Sequence, residues 1–258
     1  MAGRTSGEHR DLLTRVQEVL GAFTEDEPTM TASRVAARTG LARSTVHRLL
    51  TDLVRIGFLA QPAVGSFVIG ARLWEIGELS PVSLRLREVA LPILQQLHGV
   101  DGEVVHLAVL TGGTPETAEA LYVGRVAGPG SIPTLSRTGG RHPLHTTGVG
   151  KALLMTQDEV WLERYFLQPL ERETLYSVTE ERALRDELAA ARRLGYATTH
   201  QEMTLGNMSV AAPVPAVEGL PQAAVGVVSH LGRADVRRVA LAVRRAAEDI
   251  AAAARIAA

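Results

Sequence analysis

TASRVAARTGLARSTVHRLLTDLVRIGFL, residues 31–59, holds two helical patterns parted by a single Thr-Gly, and the fold of the first part of the chain turns on it. Gly40 can adopt the positive φ that lets the backbone leave one helix and enter the next steeply, and Ala36, four residues earlier, is small enough for a close crossing. Val35, Leu41, Val46 and Leu49 fall on the inner side. An ordinary helical hairpin would show the same glycine and the same inner positions. The surface separates the two readings: residues 31–60 carry five arginines (34, 38, 43, 48 and 55) against one acid, Asp52, a local charge of +4 in a chain whose formal total is −1. Ser44, Thr45, His47 and Arg48 lie on the non-core face of the second helix near its start, where hydroxyls, an imidazole and a guanidinium can meet base edges and phosphates. With Arg34 and Arg43 they are the candidate DNA contacts, and the pair reads as a helix-turn-helix.

Outward from this pair, Leu12, Leu13, Val16, Val19, Leu20 and Phe23 recur at three- and four-residue steps and predict a helix from Asp11 to Phe23. FLAQ and SFVIG around PAVG read as a two-stranded hairpin with Gly65 in its turn, the wing of a winged helix, with an uncharged tip at residues 62–66. ARLWEIGE follows as a short helix, and Ser80-Pro81 stops it. The domain reading is a flexible N-terminus at 1–10, a winged helix-turn-helix at 11–70, a linker helix at 71–82 and a larger domain at 83–258.

In the larger domain a helix is expected from Ser83 to Leu97 with Pro92 as a kink. EVVHLAVL and ALYVGRV then alternate as antiparallel strands around the TGGTPETAE loop. DEVWLERYF reads as a helix; Thr179 is expected to cap a long amphipathic one that Gly195 ends; YATTHQ, MSVAAPVPA and AAVGVVSHL are three more strands, and Asp235 opens the last helix. The fold class is α+β: a winged helix-turn-helix joined by a linker helix to a GAF/PAS-like antiparallel sheet of five or six strands with flanking helices, a class that takes small molecules above the sheet.

Composition removes other classes. At 258 residues, 46% hydrophobic and 21% charged, the chain is globular. It has no cysteine, so disulfide frameworks and thiolate metal sites are out, and a reducing, cytoplasmic setting is expected. MAGRTSGEHRD lacks the apolar core of a signal peptide, no run of eighteen apolar residues appears, and no membrane partner is expected. Lys151 is the single lysine among arginines, a bias that fits a GC-rich coding sequence and carries no functional weight in this reading.

HTTGVGKALL, residues 145–154, has the Gly-Lys pair of a nucleotide-binding phosphate loop. The pattern also needs a glycine five residues before that pair and a Ser or Thr after the lysine; His145 and Ala152 stand there, which rules against an NTPase. A dinucleotide fingerprint fails at Leu153.

The stretches TGLARSTVHRLLTDLVRIGFL, PLHTTGVGKALL and GYATTHQEMTLGNMSVAAPV, in this order, resemble the IclR family of bacterial transcription regulators over almost the whole chain. The resemblance implies an N-terminal DNA-binding domain, a linker helix used in dimerisation and a C-terminal effector-binding domain, in dimers or tetramers on palindromic operators. It places Gly148, Val149 and Gly150 in a loop whose amides hold a carboxylate at a helix start; a tight helix entry against the sheet is the other reading of these glycines. Ser209 stands where many relatives have cysteine, Thr199 where an acid is frequent, and Gly226 and Val228 where binders of small oxo-acids carry serines. Two polar anchors are thereby missing, which suits an aromatic or branched-chain acid.

Histidines 142, 145 and 200 raise the question of a metal, but no cysteine or acid sits beside the close pair in HPLH, so a structural or pocket-polar role is expected; no metal is assigned, and no cofactor either. No nucleophile, base and orienting acid occur at a recognisable spacing; no catalytic residue is assigned. The expectation is a ligand-responsive regulator, more a repressor than an activator, against the alternative of a small-molecule enzyme with a helical appendage.

Overall fold

The computed structural model describes residues 11–24, 26–101, 104–129, 131–233 and 235–257. The N-terminus at 1–10, expected to be flexible, lies outside them. Contacts divide the chain into two compact units between Ser80 and Pro81. Among the described residues no helix is long and apolar enough to cross a membrane.

The first unit starts with α1 (Leu12–Gly21), whose first turn is closed by Asp11 Oδ1 accepting from the Thr14 amide at 2.7 Å. The expected helix to Phe23 ends two residues early, yet Phe23 still packs on the core. Thr31 caps α2 (Ala32–Thr39), and Gly40 ends it with φ 68°, the left-handed turn that the sequence demanded. α3 (Arg43–Arg55) buries Val46, Leu49, Leu50 and Leu53 against Val19, Met30 and Val35. β2 (Leu59–Ala63) and β3 (Ser66–Ile69) make the hairpin around Gly65 at φ 77°. The wing gains a third strand that the sequence did not announce: β1 (Thr29–Thr31) pairs antiparallel with β3. α4 (Ala71–Glu78) occupies the ARLWEIGE stretch and ends before Ser80-Pro81, on the first unit's side of the division, and it buries none of its residues.

The second unit opens with a wide π-type turn, Val82–Arg87, that runs into α5 (Glu88–Asp101). The expected regular helix from 83 gives way because Pro92 has no amide to donate to residue 88 and its ring crowds that carbonyl, at the junction of the two segments. β4 (Val104–Thr111), β5 (Glu119–Val126), β6 (Arg141–His142), β7 (Ala197–His200), β8 (Asn207–Val214) and β9 (Ala223–His230) form one antiparallel sheet in the order β6-β5-β4-β9-β8-β7. α6 (Gly148–Leu154), α7 (Glu159–Tyr165) and α8 (Glu181–Leu194) lie on one side, and α9 (Val236–Ile256) is on the other with α5. Glu180, not Thr179, precedes α8; Thr179 Oγ1 instead accepts from Arg172 Nη2 at 2.9 Å. Asp235 caps α9 and Gly195, at φ 78°, ends α8, as read from sequence.

The two faces of the sheet differ in volume. Val105, Leu107, Val109, Val210, Val225 and Val227 meet α5 and α9, while Ala108, Ala197, Ala211 and Ala224 face α6 and α8. Alternation along each strand sends large side chains one way and small ones the other. The small-residue face leaves room for a site.

Gly70 fixes the base of the wing: its amide donates to Phe58 O at 2.8 Å, and a Cβ there would collide with the Gly57 carbonyl and lie 3.0 Å from the Leu59 carbonyl carbon. Gly70→Ala is therefore expected to destabilise the first unit by about 2 kcal/mol. Hydrogen exchange should show protection of the β2 and β3 amides falling roughly thirtyfold while β9 is unchanged.

Candidate functional site

On the first unit, Arg43, Ser44, His47 and Arg48 are exposed on α3 and Thr45 is half-buried beside them. The structure thus brings five of the six candidate DNA contacts onto the first two turns of one helix. Ala42 offers no side-chain cap, so the first amides of α3 stay open to an anion. Arg34 is placed differently. Its guanidinium pairs with Glu27 at 2.8 Å and Arg38 pairs with the same carboxylate at 2.7 Å, so two of the five arginines counted in the basic patch share one acid seven and eleven residues upstream, which offsets one of their two charges. Arg55 pairs with Asp52 at 3.2 Å. The positive surface that remains is narrower than the sequence count and centred on Arg43 and Arg48.

On the second unit a cavity of about 450 Å³, counting the space open to solvent at its mouth, lies against the small-residue side of the sheet. Its floor is a cross-strand row: Thr199 on β7 pairs with Ser209 on β8, which pairs with Val228 on β9. The Thr199 and Ser209 hydroxyls are 2.5 Å apart. Gly148 covers this row so closely that a Cβ on it would run into Ser209 Oγ. Gly148, Thr199, Ser209 and Val228 line the cavity; Val149, Gly150 and Gly226 do not. Val149 packs down on Gly226, where an added Cβ would approach Val149 Cγ1 to 3.2 Å. The Gly150 amide donates to Thr147 Oγ1 at 3.1 Å, and a Cβ on Gly150 would strike the Leu144 carbonyl. Val149 and Gly150 make a tight helix entry, and Gly226 is the strand position on which it packs.

The sequence missed the rest of the wall. Tyr122, His142, Thr147, Glu202 and Asn207 line it together with Thr134 and Ser136 from the loop before β6. No periodicity marks them, since they come from strands and loops far apart in the chain. Tyr122 stands edge-on between His106 and His142, with ring centroids 4.9 and 5.1 Å away. His106 is buried and its Nε2 lies 2.6 Å from Ser136 Oγ. Burial, with Arg125 and His142 adding repulsion, holds the His106 imidazolium down to about 3. Burial likewise lowers His142, against the attraction of Glu173, and lowers His145. His145 Nε2 donates to the Glu171 carbonyl at 2.8 Å, which leaves Nδ1 to face the Tyr165 hydroxyl at 3.3 Å. His200 is exposed. Among the described residues no three His, Cys, Asp or Glu side chains are grouped to hold a metal.

Lys151, given no weight in the sequence, is the central charge of this unit. Its side chain is 2% exposed, and its Nζ reaches Glu202 (5% exposed) at 2.7 Å and Glu187 (44% exposed) at 2.5 Å. Burial pushes the Glu202 carboxyl up and the lysine beside it pulls it back down. A buried ammonium must be neutralised, so α6, the segment after β7 and α8 are tied to one atom.

A basic helix face on one unit and a small-molecule cavity on the other define a transcriptional regulator. The chain belongs to the IclR family: the IclR helix-turn-helix domain matches residues 12–63, and the domain described as bacterial transcriptional regulator IclR, C-terminal, matches residues 80–252. Similar proteins include the transcriptional repressor IclR of Escherichia coli strain K12, 31% identical over 232 residues covering 88% of this chain and 82% of the relative. The p-hydroxybenzoate hydroxylase transcriptional activator of Acinetobacter baylyi is 29% identical over 219 residues, 83% of this chain and 79% of its own. Among solved structures, an IclR homolog from Microbacterium hydrocarbonoxydans complexed with 4-hydroxybenzoate matches with a TM-score of 0.86 and 32% identity over 95% of this chain and 100% of that one. The Thermotoga maritima IclR matches at 0.75 and 26% over 96% and 100%. The protein is a DNA-binding transcriptional regulator and not an enzyme.

Removing one partner of a buried pair strands the other. Lys151→Met should lower the unfolding free energy of the second unit by about 3–5 kcal/mol, whereas Glu187→Ala, at a half-exposed site, should cost about 1 kcal/mol or less; urea denaturation followed by circular dichroism compares them. The His106 shift has a definite sign. A folded value below the unfolded 6.5 contributes stability that is complete above pH 6.5 and lost as pH falls toward about 3. Wild type should lose about 2 kcal/mol between pH 7 and 5 that His106→Leu does not lose, read from urea midpoints at both pH values.

Proposed function

We propose that α3 reads operator DNA in the major groove through Arg43, Ser44, Thr45, His47 and Arg48, and that the cavity over Thr199, Ser209 and Val228 holds the effector. Arg34, on α2, is tied to Glu27, so it contributes when a phosphate competes for its guanidinium. The observation that carries the effector assignment is the open cross-strand row beneath Gly148: two hydroxyls flanked by valine and capped by a glycine that fits only without a side chain. The wall sets hydroxyl, imidazole, amide and carboxylate groups beside Leu135, Met203 and Met208, a mixture that takes a small organic molecule in a fixed orientation.

The effector is a small aromatic or branched-chain acid. Val228 in place of a hydroxyl residue supports this, and so does the 4-hydroxybenzoate bound by the homolog from Microbacterium hydrocarbonoxydans. Of the amides at the start of α6, that of Gly150 is held by Thr147, so Gly148 and the surrounding hydroxyls carry the polar recognition. The chain acts in the cytoplasm as a repressor, like the Escherichia coli relative, in dimers or tetramers. α4 supports self-association, because Trp74 on it and Leu79 at its C-cap are 67% and 72% exposed. Effector control follows if the ligand favours one arrangement of the paired DNA-binding units, a coupling ordinarily of about 1–3 kcal/mol.

Mobility-shift titration on fragments from the neighbouring intergenic DNA tests the reading. Arg48→Ala should weaken specific binding about tenfold and reduce its salt dependence, and an unchanged affinity would remove α3 from the interface. Isothermal calorimetry with benzoate, 3-methylbutanoate and glyoxylate should show heat for the first two; binding by glyoxylate alone would overturn the ligand class.

A further inference from the structure

Gln201 is the one non-glycine residue with a positive φ among the described residues, at 62°. A side chain in this left-handed region crowds the backbone, and the conformation persists only where its surroundings over-determine it. Three polar groups of Gln201 supply that hold. Its amide donates to the Asn207 carbonyl at 2.7 Å, its carbonyl accepts from Thr174 Oγ1 at 2.6 Å, and its Oε1 accepts from the Gly206 amide at 3.0 Å. One residue thus closes the turn that joins β7 to β8. The turn carries a wall of the cavity: Glu202, Met203, Thr204 and Asn207 line it, while Leu205 and Gly206 are exposed. The floor of Thr199, Ser209 and Val228 is held by strand pairing, but the pairing of β7 with β8 ends at His200 and Met208. Beyond it the course of the chain rests on individual bonds. Besides those of Gln201, the Leu231 amide donates to the Gly206 carbonyl at 2.8 Å, and Ser177 Oγ and Lys151 Nζ fix Glu202. Met203 receives the Thr146 hydroxyl on its sulfur at 3.6 Å, and a thioether is a weak acceptor.

Resting on the reading of this cavity as the effector site, we propose that Gln201 is a positioning residue of that site: bonded to Gly206 through Oε1, it fixes the turn that sets Met203, Thr204 and Asn207 in the wall. Gln201 does not itself line the cavity, so it acts through those residues. The effect is preorganisation. A wall already in its bound shape loses little conformational freedom when a ligand arrives, whereas a slack turn has to be ordered on binding, which weakens affinity. The choice of residue follows from the same geometry. A glycine would take φ 62° without crowding, but would leave the Gly206 amide without the side-chain acceptor that keeps the turn shut.

Calorimetry on the full chain with benzoate and 3-methylbutanoate, beside urea denaturation of the same samples, tests this. Gln201→Glu keeps an oxygen acceptor at the same reach and should bind within about twofold of the unmutated chain. Gln201→Met keeps the length and volume without that acceptor, and should bind about fivefold or more weakly, with a less favourable entropy and an unchanged urea midpoint. Gln201→Gly relieves the backbone and also lacks the acceptor; it should bind as weakly as the methionine variant, and it decides the matter if that variant does not fold. In the ligand-free chain, hydrogen exchange at the amides of 203–206 should quicken in the methionine and glycine variants, with β9 unchanged. Full affinity in the chains that lack the acceptor overturns the positioning role, even where exchange shows the turn loosened. A glutamate variant as weak as the methionine one overturns the Oε1 bond as its basis, and a urea midpoint that falls together with affinity in both acceptor-free chains makes the residue merely structural. Silence of the unmutated chain toward both acids overturns the effector reading and the role resting on it, an outcome distinct from heat that persists unchanged in the variants.

Discussion

One buried ammonium organises the effector-binding unit. Lys151 lies on α6 with its whole side chain inside the protein, and a charge in that position is tolerated only when carboxylates come to it. Glu202 arrives from the segment after β7 and Glu187 from α8, so three elements that already share an apolar cluster also meet at one charge. An apolar trio of similar volume would pack as well. What the ion pair adds is direction: it fixes Glu202, a residue of the cavity wall, with its two carboxylate oxygens 2.8 and 2.7 Å from the lysine nitrogen.

The sheet supplies the second constraint. Valines and leucines on one face commit that side to close packing with α5 and α9, and alanines and glycines on the other cannot fill the space beneath α6 and α8. Toward β7 this shortage of volume becomes a cavity, and toward β4 it is closed by Val149 settling onto Gly226. The same face therefore serves two ends. Its packed part anchors α6, and its open part leaves Thr199, Ser209 and Val228 lining the cavity.

The DNA-binding unit balances its charges in a comparable way. Glu27 draws Arg34 and Arg38 to the flank of α2, leaving the start of α3 as the unopposed positive surface. A smaller, sharper patch favours one docking geometry on a polyanion over diffuse attraction. Membership in the IclR family joins this unit to a ligand-binding domain on one chain, and relatives include both a repressor and an activator.

Features set by neighbouring residues were legible from the sequence: the left-handed turns at Gly40 and Gly195, the Asp235 cap, the hairpin turn at Gly65 and the alternation of β4, β8 and β9 all arise from local backbone preference or from periodicity. Short strands were not. β1 and β6 have two or three residues each, too few to show a period, and exist because β3 and β5 offer them hydrogen bonds. Composition counted five arginines but could not see Glu27 fold back on two of them. Family resemblance found Gly148, Thr199, Ser209 and Val228 at the cavity and also drew in Val149, Gly150 and Gly226, whose role in packing depends on which side of the chain faces the sheet. Sequence by itself determined the order of elements and the class of protein, because those follow from local conformational energy and shared pattern. Only the tertiary structure decided that Lys151, Glu202 and His142 matter, because burial and charge pairing are properties of residues brought together across the chain.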